Sequence, residues 1–239
     1  MIGLGTIVNV SAVVGGSCLG LLFNGRFEKR FQDIIIQSLG FATIFIGVAG
    51  TLKCMFSIIG SSIETTGAMM MIVSLVLGSI IGELINIEKR MQNLGNWLKK
   101  KVKSKNDSTF VEGFVTASLV ICIGAMAVVG SIQDGISGDA SMLYAKSTLD
   151  FVIVLIFAST LGKGVLFSAI PLGIYEGLIT LFAFIIAPAL TEQMINNISF
   201  VGSILIFCVG VNLSFDKKIK VANMLPALII AVIYSLLNL

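Results

Sequence analysis

Glu176 stands in the middle of a long uncharged stretch, SAIPLGIYEGLITL, with Pro171, Gly173 and Gly177 around it. An ionisable group at the centre of a bilayer costs about 2.5–3.5 kcal/mol on insertion scales, so it must face protein or water. A carboxylate beside a helix weakened by proline and glycine, whose freed carbonyls can accept hydrogen bonds, suits a solute or ion site at membrane depth. The alternative is a protonated glutamic acid that merely hydrogen-bonds a neighbouring helix.

The other candidates lie nearer the ends of their stretches. Asp150 follows Lys146 by one helical turn, which reads as an i,i+4 ion pair at the outer surface. ICIGAMAVVGSIQDGISGD carries Gly124, Gly130, Gly135 and Gly138, with Gln133, Asp134 and Asp139 at its outer end. Those two acids either attract cations at an outer mouth or shape turns, and the glycines let the segment unwind. Asn9 shares a face with Ala12, Gly16 and Gly20. The expected path therefore has Glu176 at its centre and Asp134, Asp139 and Asp150 toward the outer mouth, flanked by Gln133 and Lys146, with Asn9 on the facing small-residue stripe. Ser11, Thr116, Ser118 and Asn212 are further polar groups within apolar stretches.

Enzymatic chemistry has little support. With no histidine, the usual general base and the commonest metal ligand are absent. Cys18, Cys54, Cys122 and Cys208 form no C-x-x-C pair and read as small buried hydrophobes. No Walker loop or dinucleotide fingerprint occurs. We expect no catalysis, no cofactor, no metal and no nucleic-acid partner.

The elements that must position these residues follow from composition. In 239 residues, 56% are hydrophobic and 12% charged, against roughly 25% charged in soluble domains; mean hydropathy is +1.01. Lipid is the natural solvent. Apolar runs near the ~20 residues that span a bilayer cover 2–23, 34–52, 65–84, 111–132, 147–162, 165–188, 198–215 and 221–239. Backbone groups cannot be left unpaired in hydrocarbon, so these runs predict helices. The expected fold is an all-α polytopic bundle of about eight spans, forming one integral membrane domain over 1–239. The boundary at Gly162-Lys163-Gly164 is the weakest.

Basic residues set the orientation. Arg26, Lys29 and Arg30 follow the first run, which predicts an amino terminus outside and places 85–110, 163–164 and 216–220 in the cytoplasm. Fourteen of the 16 basic residues, Arg26 and Lys105 among them, then lie inside, and Lys53 and Lys146 outside. The linker 86–109 has Ile87, Met91, Leu94, Trp97, Leu98 and Val102 at helical spacing with lysines between. It predicts a basic helix on the cytoplasmic lipid surface; a solvated tether is the alternative.

The stretches 37–52 and 197–213 are faintly alike and run oppositely in this topology, which hints at an inverted repeat of spans one to three against six to eight. Small residues at i,i+4 spacing (Gly16 and Gly20; Ser74, Gly78 and Gly82; Ala158 and Gly162) predict close helix packing. They would serve a homodimer or contacts within one chain.

CIGAMAVVGSIQDGISGDASMLYAKSTLDF at 122–151, FASTLGKGVLFSAIP at 157–171, GTIVNVSAVVGG at 5–16 and NMLPAL at 223–228 resemble the bacterial membrane-protein family called domain of unknown function 554 (YdfK/YqgA-like), over essentially the whole chain. Gln133, Asp134, Gly138, Asp139, Lys146 and Asp150 match its most recognisable motif. The resemblance implies a multi-pass inner-membrane protein of a family usually described as potential transporters, with no substrate to carry over. Together these readings lead to a transporter or channel-like protein of the cytoplasmic membrane for a small polar solute or ion, cation- or proton-coupled. The rival is a non-transporting scaffold or sensor acting through the linker.

Overall fold

The computed structural model describes residues 1–24, 28–59, 62–104, 107–215 and 217–237. Arg26 and Lys105 lie outside the described residues. In chain order the elements are α1 Leu4–Phe23, α2 Lys29–Met55, a hairpin of β1 Phe56–Ile59 and β2 Ser62–Thr65, α3 Ala68–Ile85, α4 Ile87–Lys101, α5 Phe110–Cys122, α6 Ala125–Ser137 and α7 Ser141–Leu161. A 3-10 segment Gly162–Ser168 then leads to α8 Ala169–Leu181, α9 Ala183–Ile186, a 3-10 turn Ala187–Ala189, α10 Glu192–Phe215, α11 Val221–Met224 and α12 Pro226–Leu236. The protein is thus an all-α membrane bundle with, among the described residues, one short antiparallel hairpin, which pairs Phe56 with Thr65 and Ser57 with Glu64.

Two compact units divide the chain. The first comprises Met1–Ile36, Arg90–Cys122 and Met126–Ala189; the second comprises Gln37–Lys89, Ile123–Ala125 and Leu190–Leu239.

In the first unit α1 is the central helix. Its buried face is small and polar: Gly5, Thr6, Asn9, Val13, Gly16, Ser17 and Gly20. Its large residues Ile7, Val14 and Leu22 are exposed, as expected where lipid is as apolar as the side chains and small residues admit close backbones. A Cβ on Gly16 would strike the Phe151 carbonyl, and one on Gly20 the Leu155 carbonyl. Gly5 meets Leu143, Gly16 meets Phe151 and Gly20 meets Leu155, so α1 and α7 run parallel. Against α8 the order reverses: Thr6 meets Thr180, Asn9 meets Glu176 and Val10 meets Gly173. The chain therefore doubles back through the 3-10 segment. Gly162 allows this with φ +78°, and Gly164 passes against the Phe110 carbonyl.

In the second unit α2 and α10 pack head to tail. Gly40 faces Ser214, Gly47 faces Phe207, and Gly50 faces Ser203. On α3, Ser74, Gly78 and Gly82 are buried while Ile72, Val76 and Ile80 are exposed. Gly78 lies against Ala227 and Gly82 against the Asn223 carbonyl, so α3 is antiparallel to α11 and α12. A polar knot closes this end: Lys220 Nζ donates to Glu83 Oε1 (2.5 Å), Asn223 Nδ2 to Glu83 Oε2 (2.6 Å), and the Glu88 N–H to Asn223 Oδ1 (2.6 Å).

Several expectations need correction. The count of about eight spans is not confirmed: among the described residues, five helical stretches are long and apolar enough to cross a membrane, six when a bent pair counts as one. The difference lies at Ser141–Leu181, which qualifies as a single 41-residue stretch although it doubles back, and at the short apolar Val221–Leu236. The fourth run is broken near its middle: Phe110–Cys122 and Met126–Ser137 are bent by 61° beside Gly124, whose φ of +148° suits a residue without Cβ. The third run starts at Ala68 rather than 65, because Ser62–Thr65 pairs as a strand. The fifth begins at Ser141 rather than 147, which carries Lys146 out of the outer loop and into a helix. Cys18 is exposed on α1 rather than buried; Cys54 is buried and the other two thiols are partly so.

The linker is helical over Ile87–Lys101. Gly95 and Leu98 are its buried residues, Gly95 against Phe114 and Val111, whereas Leu94 and Trp97 are exposed.

Candidate functional site

Three helices of the first unit bring four polar side chains together. Asn9 projects from the small face of α1, Lys146 and Asp150 from successive turns of α7, and Glu176 from α8 beside Gly177. Asn9 and Glu176 are fully enclosed; Lys146 and Asp150 are 6% and 4% exposed.

The contacts are close and mutual. Asn9 Nδ2 donates to Glu176 Oε1 (2.9 Å) and to Asp150 Oδ2 (3.1 Å). The Lys146 ammonium pairs with Asp150, lies 3.5 Å from Glu176 Oε1 and donates to the Ile121 carbonyl (2.8 Å). That carbonyl belongs to the last turn of α5, where the break before α6 leaves backbone acceptors without helical partners. The negative end of the α5 dipole thus adds to the two carboxylates in holding the ammonium. A buried lysine is tolerable only with such compensation, since an unpaired charge here would cost several kcal/mol.

Two atoms of the cluster are unsatisfied. Among the described residues, neither Glu176 Oε2 nor Asn9 Oδ1 has a hydrogen-bond partner, although both are buried.

The cluster lies on a lane of buried polar groups along α1. Asp134 on α6 is fully buried, and its carboxylate accepts from the Gly3 N–H (3.2 Å) and the Gly5 N–H (2.9 Å). It stabilises the positive amino end of α1. One turn on, the hydroxyls of Thr6 and Thr180 are 3.3 Å apart. Asn9 and its partners follow, and Ser17, two turns further, is buried with an Oγ that has no partner among the described residues.

The expected path is brought together only in part. Glu176, Asn9, Asp150 and Lys146 converge. The Lys146–Asp150 pair, read as an outer-surface ion pair, is instead buried and joined to Glu176. Asp134 caps α1. Gln133 and Asp139 are exposed; Asp139 Oδ1 accepts from the Ser141 N–H (3.0 Å) at the start of α7, which holds its carboxyl below the ordinary range. Ser11 and Ser118 bond back to the carbonyl four residues earlier, and Asn212 exchanges two hydrogen bonds with the Ile219 backbone. Missing from the sequence reading were Thr6, Thr180 and the Ile121 carbonyl. The threonines sit three residues before Asn9 and four after Glu176, so the i,i+3 and i,i+4 rule could have found them. The carbonyl could not be found without the break in the fourth run.

Among the described residues, no group of three acidic or thiol side chains could hold a metal ion.

Residues 4–236 match the family described as "Protein of unknown function (DUF554)". The chain is 33% identical to "Uncharacterized membrane protein YdfK" of Bacillus subtilis (strain 168) over 226 residues, 95% of this chain and 93% of that protein. It is 32% identical to "Uncharacterized protein YqgA" of Escherichia coli (strain K12) over 235 residues, 95% of this chain and 94% of that one. No solved structure matches it.

Proposed function

We propose a transport function for this chain, which belongs to the DUF554 family of membrane proteins of unknown function: it carries a small polar solute or ion across the cell membrane through the Asn9–Lys146–Asp150–Glu176 cluster. One observation carries this reading. Three ionisable side chains that lipid would penalise are gathered at one point, on a lane of buried polar groups running from Asp134 through Thr6 to Ser17. A single ion pair would suffice to neutralise Lys146; the second carboxylate is surplus to packing. The broken α5–α6 pair and the 3-10 entry to α8 are the kind of interrupted helices that frame such sites in transporters.

Basic residues support an amino terminus outside and a cytoplasmic 86–109 segment. With Lys146 inside the bundle, Lys53 is the one basic residue left in the segments expected outside.

The test is flux. Reconstituted protein on a solid-supported membrane is given concentration jumps of sodium, potassium, ammonium and small organic cations and anions. Glu176→Gln and Glu176→Ala should lose the current of the parent. Parent-rate movement in both variants removes Glu176 from the site.

The rival reading, a scaffold or sensor bound to anionic lipid, draws on α4. Lys99, Lys100 and Lys101 close its last turn, and Lys101 Nζ lies 5.3 Å from the centroid of the exposed Trp97 ring. Replacing the three lysines by glutamine should abolish activity under that reading and leave ion flux intact under ours.

A further inference from the structure

The donors of the buried cluster are engaged, and some of its acceptors are not. The Lys146 ammonium donates to the Ile121 carbonyl and to Asp150, and lies in ion-pair contact, 3.5 Å, with Glu176 Oε1. Asn9 has two amide hydrogens and two acceptors, Asp150 and Glu176. Two fully buried acceptor atoms, Glu176 Oε2 and Asn9 Oδ1, have no partner among the described residues. With both carboxylates ionised, one negative charge is also left over. An anion would meet surplus negative charge here. A bare divalent cation would want about six oxygens, more than Glu176 Oε2, Asn9 Oδ1 and the second Asp150 oxygen supply. A proton needs one carboxylate oxygen.

We propose that Glu176 carries an exchangeable proton on Oε2, so that the guest of this cluster is H⁺ and Lys146–Asp150 is its fixed ion pair. The proposal deepens the transport reading, and rests on it for whatever the proton is coupled to. On release, the O–H bond at Oε2 breaks, the electron pair stays on the carboxylate and the proton passes to water. The cluster goes from neutral to singly negative, and Lys146 is shared between Asp150 and Glu176. On uptake, Oε2 becomes a donor, with the unused Asn9 Oδ1 as an acceptor on a side chain that already touches Oε1, and Lys146 returns to Asp150.

The groups facing Glu176 are few. Asn9 comes from α1, Lys146 and Asp150 from α7, and the Cys122 thiol from the end of α5; Tyr175 is its neighbour on α8. Asp134 on α6 is held instead at the start of α1, its two oxygens on the Gly3 and Gly5 N–H groups.

Infrared spectroscopy of the full chain in lipid reads the proton directly, without any transported solute. The protonated-carboxyl band should grow as pH falls across the range in which the protein stays folded. It should be missing in Glu176→Gln, shifted in frequency in Glu176→Asp, and lost or moved to lower pH in Asp150→Asn, where Glu176 becomes the one carboxylate left to balance Lys146. Glu176→Asp keeps a carboxyl group and serves if the glutamine variant does not fold. A wild-type spectrum without a Glu176 band overturns the proposal, as does a band that stays constant across the range, which marks a fixed structural proton. So does replacement of choline by sodium or potassium that removes the band and raises the melting temperature in wild type but not in Glu176→Gln, since a metal cation then holds the site. A titrating band in protein that passes no ion would uphold the proton site and sink transport; ion flux without the band would do the reverse.

Discussion

Asn9 Nδ2 donates 2.9 Å to Glu176 Oε1, joining α1 to α8 at a level where both residues are wholly enclosed. The same amide reaches Asp150 on α7, so one neutral side chain separates two carboxylates and makes a hydrogen bond to each. Without it, only Lys146 would stand between two like charges. Asn9→Ala should therefore destabilise the protein by about 1–3 kcal/mol, the cost of leaving buried charged acceptors unmet. Thermal unfolding in detergent measures this, and a loss below 0.5 kcal/mol would mean that water replaces the amide.

Lys146 and Asp150 should be strongly coupled. Removing one member of a buried ion pair costs about 3–5 kcal/mol because the other charge is left uncompensated, whereas removing both is often nearly neutral. Here Glu176 stays behind, and in its protonated form needs no counter-ion. Lys146→Met should thus be severe, and Lys146→Met with Asp150→Leu should recover most of the loss. A double-mutant cycle on unfolding free energies tests it. Additive effects would show that the pair is not a unit.

Close helix approach predicts opposite fates for two glycines. A Cβ on Gly82 would strike the Asn223 carbonyl, a backbone atom unable to yield, whereas one on Gly177 meets nothing within 4 Å. Gly82→Ala should cost about 1–3 kcal/mol through overpacking. Gly177→Ala should be neutral or stabilising by up to about 1 kcal/mol, since alanine favours a helix. Melting temperatures of the two variants in one detergent decide the matter.

These glycines also show how far the chain could be read unaided. The stripe Ser74, Gly78 and Gly82 was legible because i,i+4 spacing alone puts small residues on one face, and that face is indeed buried. Since α11 and α12 occupy it, and α7 occupies the stripe on α1, these faces serve contacts within the chain and give no support to a dimer. The antiparallel packing of α2 with α10, α1 with α8 and α3 with α12 is common to up-and-down bundles and does not by itself make 37–52 and 197–213 a repeat. Hydropathy misplaced Lys146, because a charge reads as the end of a span unless its partners are known, and one of them lies 30 positions away. It also missed the hairpin Phe56–Ile59 with Ser62–Thr65, where strand pairing leaves too weak a periodic signal over four residues.

Asp139 titrates outside the helices. Its carboxylate accepts from the Ser141 N–H at the start of α7, which lowers its pKa in the folded protein. A lowered folded pKa contributes stability above the unfolded value of about 3.9, lost as pH falls through the folded one. Asp139→Ala should melt earlier than wild type at pH 7 and together with it well below pH 4. A difference that persists in acid would assign the effect to the Asp139 backbone rather than to its charge.

Orientation can be read from two lysines on opposite sides of the proposed topology. Lys53 closes α2 in a segment expected outside, and Lys101 closes α4 in the basic segment expected inside. In a background where Cys18, Cys54, Cys122 and Cys208 are replaced by serine or alanine, Lys53→Cys should react with a membrane-impermeant maleimide on intact cells. Lys101→Cys should react only after the membrane is opened. The reverse pattern would put the amino terminus in the cytoplasm, and because fourteen basic residues would then face outward, against the charge asymmetry that orients membrane helices, it would remove the topology on which the direction of transport depends. Labelling of both from outside would mean an even number of crossings between positions 53 and 101, and with it a different assignment for α3, the helix whose exposed Ile72, Val76 and Ile80 now read as lipid-facing.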